Sequence, residues 1–130
     1  MTYFLKKYML VKKFNRSVLS IINVLCSSNN TFLNISSLKK RTILCVSCGS
    51  LGIKGSRRST AYASQTMSNV FGKALFFLGI KYAFIKIKGF GNGRHSCVKG
   101  LHLSGITVLR IQDVTFLPFN GCKVSKKRRV

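Results

Sequence analysis

Residues 61–88 read AYASQTMSNVFGKALFFLGIKYAFIKIK, and a change of period inside this stretch decides the fold. Met67, Val70, Phe71, Ala74, Leu75 and Leu78 recur at i, i+3, i+4, i+7, i+8 and i+11, the spacing of one helical face, which predicts a helix over 61–78. Gly79 follows where a helix commonly ends in a left-handed residue. From 81 to 88 the pattern alternates, with Ala83, Ile85 and Ile87 on one side and Tyr82, Phe84, Lys86 and Lys88 on the other. That is the period of a strand with one buried face.

Working outward, residues 17–26, 31–36 and 41–48 are short runs rich in Val, Ile, Leu and Phe, separated by polar turns at 27–30 and 37–40. They predict three consecutive strands in a meander. Residues 49–60 form a Gly- and Ser-rich loop before the long helix. Downstream, a second Gly loop, a short helix over 94–104 and a strand over 106–112 complete a β-α-β-α-β half. One α/β domain is therefore expected over 17–112. Residues 1–16 form a basic N-terminal extension holding Lys6, Lys7, Lys12, Lys13 and Arg16, which reads either as an organelle-targeting segment or as an arm that touches RNA. Residues 113–130 have no apolar period and read as an extended basic tail.

Charge narrows the partner. Among 130 residues there are 23 Lys and Arg and a single acid, Asp113, giving a formal net charge of +22 and a pI near 10.7. Such a chain repels itself and calls for a polyanion. Neutralising six to ten phosphates would tie its affinity to counterion release, with roughly three to five decades lost between 50 and 200 mM salt. A disordered polybasic tail is excluded because 46% of the residues are hydrophobic. The longest apolar runs, near 18–26 and 74–80, are too short to span a bilayer, so no membrane partner is expected. Five cysteines, an odd number with no secretory signal before them, point to a reducing compartment without disulfides.

Two loops lie where such a sheet binds ligands, between a strand's carboxyl end and the next helix. The first offers Lys54, Gly55, Ser56, Arg57, Arg58, Ser59 and Thr60: glycines that admit a phosphate, hydroxyl donors and two guanidinium groups ahead of a helix. The second offers Lys88, Gly89, Gly91, Gly93, Arg94 and His95. Its Gly91-x-Gly93-x-x-Ser96, with Asp113 about twenty residues on, also resembles a dinucleotide fingerprint, so a small dinucleotide-binding enzyme is the rival reading. Ser at the third position and the lack of a substrate domain argue against it.

Cys45 and Cys48 form a CxxC pair, but on a strand they point to opposite faces and no second pair follows, so no metal is expected. Catalysis lacks its groups. One carboxylate held ionised by cations is a poor proton donor, His95 and His102 have no second acid to orient them, and Cys97 and His95 diverge on a helix. Neither an enzyme nor a cofactor is expected.

Three segments then carry a family resemblance: Gly55-Ser56-Arg57-Arg58-Ser59-Thr60 with Ala63 and Gln65; Lys88-Gly89-x-Gly91-x-Gly93-Arg94; and Asp113-Val114-Thr115-x-x-Pro118-x-Asn120-Gly121-Cys122 followed by Lys126-Lys127-Arg128-Arg129-Val130. In order and spacing they resemble ribosomal small-subunit protein eleven of the bacterial and organellar type, with Asn29-Asn30-Thr31 as the best match upstream. The resemblance implies a mixed-sheet α/β fold of ribonuclease-H-like shape without catalytic acids, with helices packed on the sheet. It also implies a place on the platform of the small ribosomal subunit, bound to its ribosomal RNA, near the messenger exit path and neighbouring platform proteins, with no homo-oligomer. Carried over by motif, Arg57, Arg58 and Ser59 contact the RNA backbone, Gly89, Gly91, Gly93 and Arg94 form a second backbone-hugging loop, and Asn120, Gly121, Lys123, Lys126, Lys127, Arg128 and Arg129 thread into RNA. The chain departs from the family where Phe90, Asn92 and Phe116 replace Pro, His95 replaces Glu and Phe119 replaces His. One Pro, ten Phe and abundant Ile, Leu, Lys, Asn and Ser resemble the drift of an A/T-rich genome, which together with the bacterial type suggests an organelle, a mitochondrion being expected rather than a plastid.

Overall fold

The computed structural model describes residues 19–127 and 129. The N-terminal extension and Arg128 lie outside the described residues. Five strands, β1 (Leu19–Cys26), β2 (Thr31–Ser37), β3 (Thr42–Ser47), β4 (Tyr82–Lys88) and β5 (Thr107–Asp113), form one sheet in the order β3-β2-β1-β4-β5. β1 pairs antiparallel with β2 and β2 with β3, while β1–β4 and β4–β5 are parallel. A three-strand meander extended by two crossovers is the ribonuclease-H-like arrangement expected. Two helices, α1 (Ala61–Phe77) and α2 (Gly93–Leu103), make the crossovers.

The core follows the two periods read from sequence. Ile22, Val24, Leu33, Ile35, Leu44, Val46, Ala83, Ile85 and Ile87 from the strands meet Met67, Phe71, Leu75, Cys97 and Leu101 from the helices in one buried cluster. Both helices therefore cover the same face of the sheet. The other face carries Ile21, Asn23, Phe32, Asn34, Phe84 and Lys86, and no helix lies over it among the described residues.

Helix α1 starts on Thr60, whose Oγ1 accepts the Ala63 N–H at 3.2 Å. It ends as expected: Gly79 adopts φ +87°, Gly79 N–H donates to Phe76 O and Ile80 N–H to Leu75 O, a Schellman-type close. One feature of α1 went unread. Val70 is only half-buried, whereas Ser64, Ser68 and Gly72, spaced by four, are buried and face α2. A Cβ on Gly100 of α2 would lie 2.5 Å from Gln65 O and 2.8 Å from Ser68 Cβ, and one on Gly93 would lie 2.5 Å from Ser64 Oγ. The helices meet backbone to backbone across small residues.

The loop over 49–60 also differs from an open connector, because it contains two single-turn 3-10 helices, Gly49–Leu51 and Gly55–Ser59. Serine and threonine make these turns by bonding locally to the main chain: Ser50 Oγ donates to Ser47 O at 2.7 Å and Ser59 Oγ to Ser56 O at 2.7 Å. Cys45 is exposed and Cys48 buried, as alternation requires. Cys26 and Cys97 are also buried and Cys122 is exposed. Burial pushes the Cys48 thiol up, and a hydrogen bond with Cys26 together with burial does the same to Cys97. Because Cys26, Cys48 and Cys97 are all buried, a thiol reagent is expected to label Cys45 and Cys122 quickly in the native chain and the other three only on unfolding, as read by mass spectrometry of modified peptides.

Candidate nucleic-acid interface

Strand direction gathers the site. β1, β4 and β5 are parallel, and β3, antiparallel to β2, runs the same way as β1. Cys26, Ser47, Lys88 and Asp113 therefore end their strands at one edge of the sheet. The β1–β2 turn, the loop over 49–60, the second Gly loop and the root of the tail all emerge there.

In the first loop the two arginines differ. Arg58 Nε donates to Ile53 O at 2.8 Å and its guanidinium packs over Gly49, so it braces the loop from inside. Arg57 and Lys54 are exposed and free to meet a ligand. They line a hollow of about 730 Å³ with Gly52, Thr60 and Tyr62. Ser59 and Thr60 spend their hydroxyl protons on Ser56 O and Arg57 O. Tyr62, 79% exposed beside Arg57, is a residue sequence reasoning passed over. An aromatic two residues beyond a basic loop was the available signal, since its ring can lie on a base.

The second loop owes its glycines to the protein's own chain. A Cβ on Gly89, which adopts φ +96°, would run into Cys26 O, and one on Gly91 into Ser27 O. Gly91 N–H donates to Cys26 O at 3.1 Å, while Thr31 Oγ1 and Ser64 Oγ share a hydrogen bond of 2.9 Å behind Gly93. Whatever these glycines offer a phosphate, the β1–β2 turn fills the space their missing side chains leave. Lys88, Phe90, Asn92 and His95 are the exposed members of this region.

Arg94 is likewise turned inward. Its guanidinium pairs with Asp113, and also donates to Gly89 O and to Thr115 Oγ1. Thr115 in turn donates its N–H to Asp113 Oδ1 at 2.9 Å and its hydroxyl at 2.6 Å, and accepts the Gly89 N–H at 3.2 Å. Val114 N–H adds a bond to Ile87 O at 2.8 Å. This clasp fixes the second loop and the start of the tail relative to each other. Beyond it the described residues have no helix or strand, and Asn120, Gly121, Lys123, Lys126, Lys127 and Arg129 are exposed.

Hydrogen bonds from the Thr115 hydroxyl and N–H, then from Arg94, hold the Asp113 carboxyl down to about 2. A carboxyl depressed in the folded state contributes stability that is complete above its ordinary value near 3.8 and lost as pH falls through about 2. With one side-chain carboxyl in the chain, carbon-detected NMR can follow it directly. Titration near 2 is expected in the native protein; titration near 3.8 would mean that the clasp does not form. Asp113 is thereby committed to Arg94 and Thr115 within the fold, which weakens the dinucleotide reading that needed it for a ribose.

The motifs lie in the expected order on the expected fold, and the sequence model of the family described as Ribosomal protein S11 matches residues 20–129. The chain belongs to the ribosomal protein S11 family. Among similar proteins, small ribosomal subunit protein uS11m of Prototheca wickerhamii is 38% identical over 125 residues, covering 96% of this chain and 98% of its own length. Small ribosomal subunit protein uS11 of Polynucleobacter asymbioticus is 42% identical over 120 residues, covering 92% of this chain and 89% of its own. Small ribosomal subunit protein uS11c of Tupiella akineta is 37% identical over 110 residues, covering 85% of each. As an S11-family member the chain is a structural ribosomal protein and not an enzyme.

Proposed function

We propose that this S11-family chain holds small-subunit ribosomal RNA in the platform of the small subunit, near the messenger exit path and beside neighbouring platform proteins, and so supports translation. The observation that carries this reading is the convergence of the loop over 49–60, the loop over 88–95 and the tail at one edge of a sheet whose chain bears a formal +22. Exposed Lys54, Arg57, Lys88 and His95 and the tail cations then meet one continuous backbone, while Arg58, Gly89, Gly91, Gly93 and Arg94 shape the loops that present them. Phosphate contacts position such a protein, and unpaired bases supply the specificity. The protein works as a single copy, with no cofactor, metal or membrane.

A mitochondrial ribosome in the matrix is the setting we favour over a plastid one, supported by the likeness to uS11m proteins of Prototheca wickerhamii and Marchantia polymorpha, while the A/T-like composition supports an organelle of either kind. The test is sedimentation of the tagged full chain. It is expected to travel with small subunits of mitochondria and to leave them only at high salt. Saturable dinucleotide binding with no ribosomal association would overturn the proposal, and association with plastid subunits would move the setting.

A further inference from the structure

The sheet face turned away from the helices shares only Lys88 with the interface described above, yet its side chains are those of a ligand platform. Three register rows cross it. Arg110, Phe84 and Ile21 stand side by side on β5, β4 and β1. The next row, Gln112, Lys86, Asn23, Asn34 and Cys45, is polar across all five strands. The third holds Lys88, Leu25, Phe32 and Ser47. Rows two residues apart are about 7 Å from one another. Phe32 is 38% exposed and Leu25 43%, and a hollow of about 310 Å³ opens between Ile21, Phe84, Lys86, Arg110 and Gln112.

We infer that this open face is a second RNA contact, which takes unpaired nucleotides by stacking on Phe84 and Phe32; the inference rests on the ribosomal-RNA reading above. Phe84 on β4 and Phe32 on β2 flank the polar row on its two sides and offer π-faces to bases, the amides of Asn23 and Gln112 face base edges, and Lys86, Lys88 and Arg110 reach phosphates. Asn34 Oδ1 is shielded and has no partner among the described groups of the protein. Charge selects the occupant. The face carries three cations and no carboxylate, so residues 1–16 of the same chain, with five Lys and Arg, are repelled from it, and a nucleic-acid strand is attracted.

The test uses the full chain with a 15-nucleotide oligouridylate, and with an RNA duplex of the same length. Phe32→Ala plus Phe84→Ala is expected to weaken binding to the single strand by roughly five- to a hundredfold per ring, with duplex binding and the salt slope unchanged, since stacking is lost but no charge. Phe84→Tyr should keep wild-type affinity. If the alanine variant does not fold, ultraviolet crosslinking of the unaltered protein decides, with uridine adducts expected on Phe32, Tyr82 or Phe84. Adducts confined to the loops and tail would overturn the inference while leaving the ribosomal-RNA reading intact. Failure of the wild-type chain to associate with the small subunit would instead remove that reading. Within assembled subunits, lysine crosslinks from Lys86 to another protein or to residues 1–18 would also overturn it.

Discussion

Gly100→Val is expected to destabilise the fold by about 3 kcal/mol, the upper part of the usual range for overpacking, and so to consume much of the roughly 5–15 kcal/mol by which a domain this size stays folded. The reason is local. The new Cβ alone would stand 2.5 Å from Gln65 O, 2.8 Å from Ser68 Cβ and 3.3 Å from Asn69 N, and two of those three atoms are main chain that cannot swing aside. Relief requires α1 and α2 to separate, which uncovers Phe71, Leu75 and Leu101 together. Even Gly100→Ala should lower the urea midpoint measurably, and valine more. An unchanged midpoint for both would show that the helices do not meet through Ser64, Ser68 and Gly72.

The second large effect is on binding. Arg57→Ala plus Arg58→Ala is expected to weaken RNA binding and to reduce the slope of log affinity against log salt by up to about two units. The two positions should not contribute alike. Arg57 is exposed, so its loss removes one phosphate contact and about one unit of slope. Arg58 holds Ile53 O with Nε, so its loss also frees the loop that aims Arg57, lowering affinity more than the slope accounts for. Titrations of the two single variants and the double variant against small-subunit RNA at several salt concentrations separate these effects. A wild-type slope in the double variant would take this loop out of the interface.

The elements were legible because each one's apolar residues keep a single period. Met67, Phe71 and Leu75 fall on one helical stripe and Ala83, Ile85 and Ile87 on one strand face, and both are buried. The helix–helix contact was harder to see, because Ser64, Ser68, Gly72 and Gly100 do not register as apolar although their smallness is what lets the backbones approach. The site motifs were legible as positions along the chain, while what holds them in place was not. Glycine beside cations invites a phosphate, but Gly89 and Gly91 are required by Cys26 O and Ser27 O, contacts between segments more than sixty residues apart that no local pattern encodes. Arg94 reads from sequence as one more cation in a run, and only the fold brings Asp113 beside it. By contrast the turn at Asp113, with Thr115 as donor, follows from two residues spaced by two.

Asp113 also changes how the chain's charge is shared out. One anion among twenty-three cations can neutralise only one of them, and the fold assigns it to Arg94. The Arg94–Asp113 pair is therefore locally neutral, and along the chain it falls between Lys88 and the exposed Lys123, Lys126 and Lys127. A polyanion gains no net attraction from that knot, only from the cations that precede and follow it in the chain.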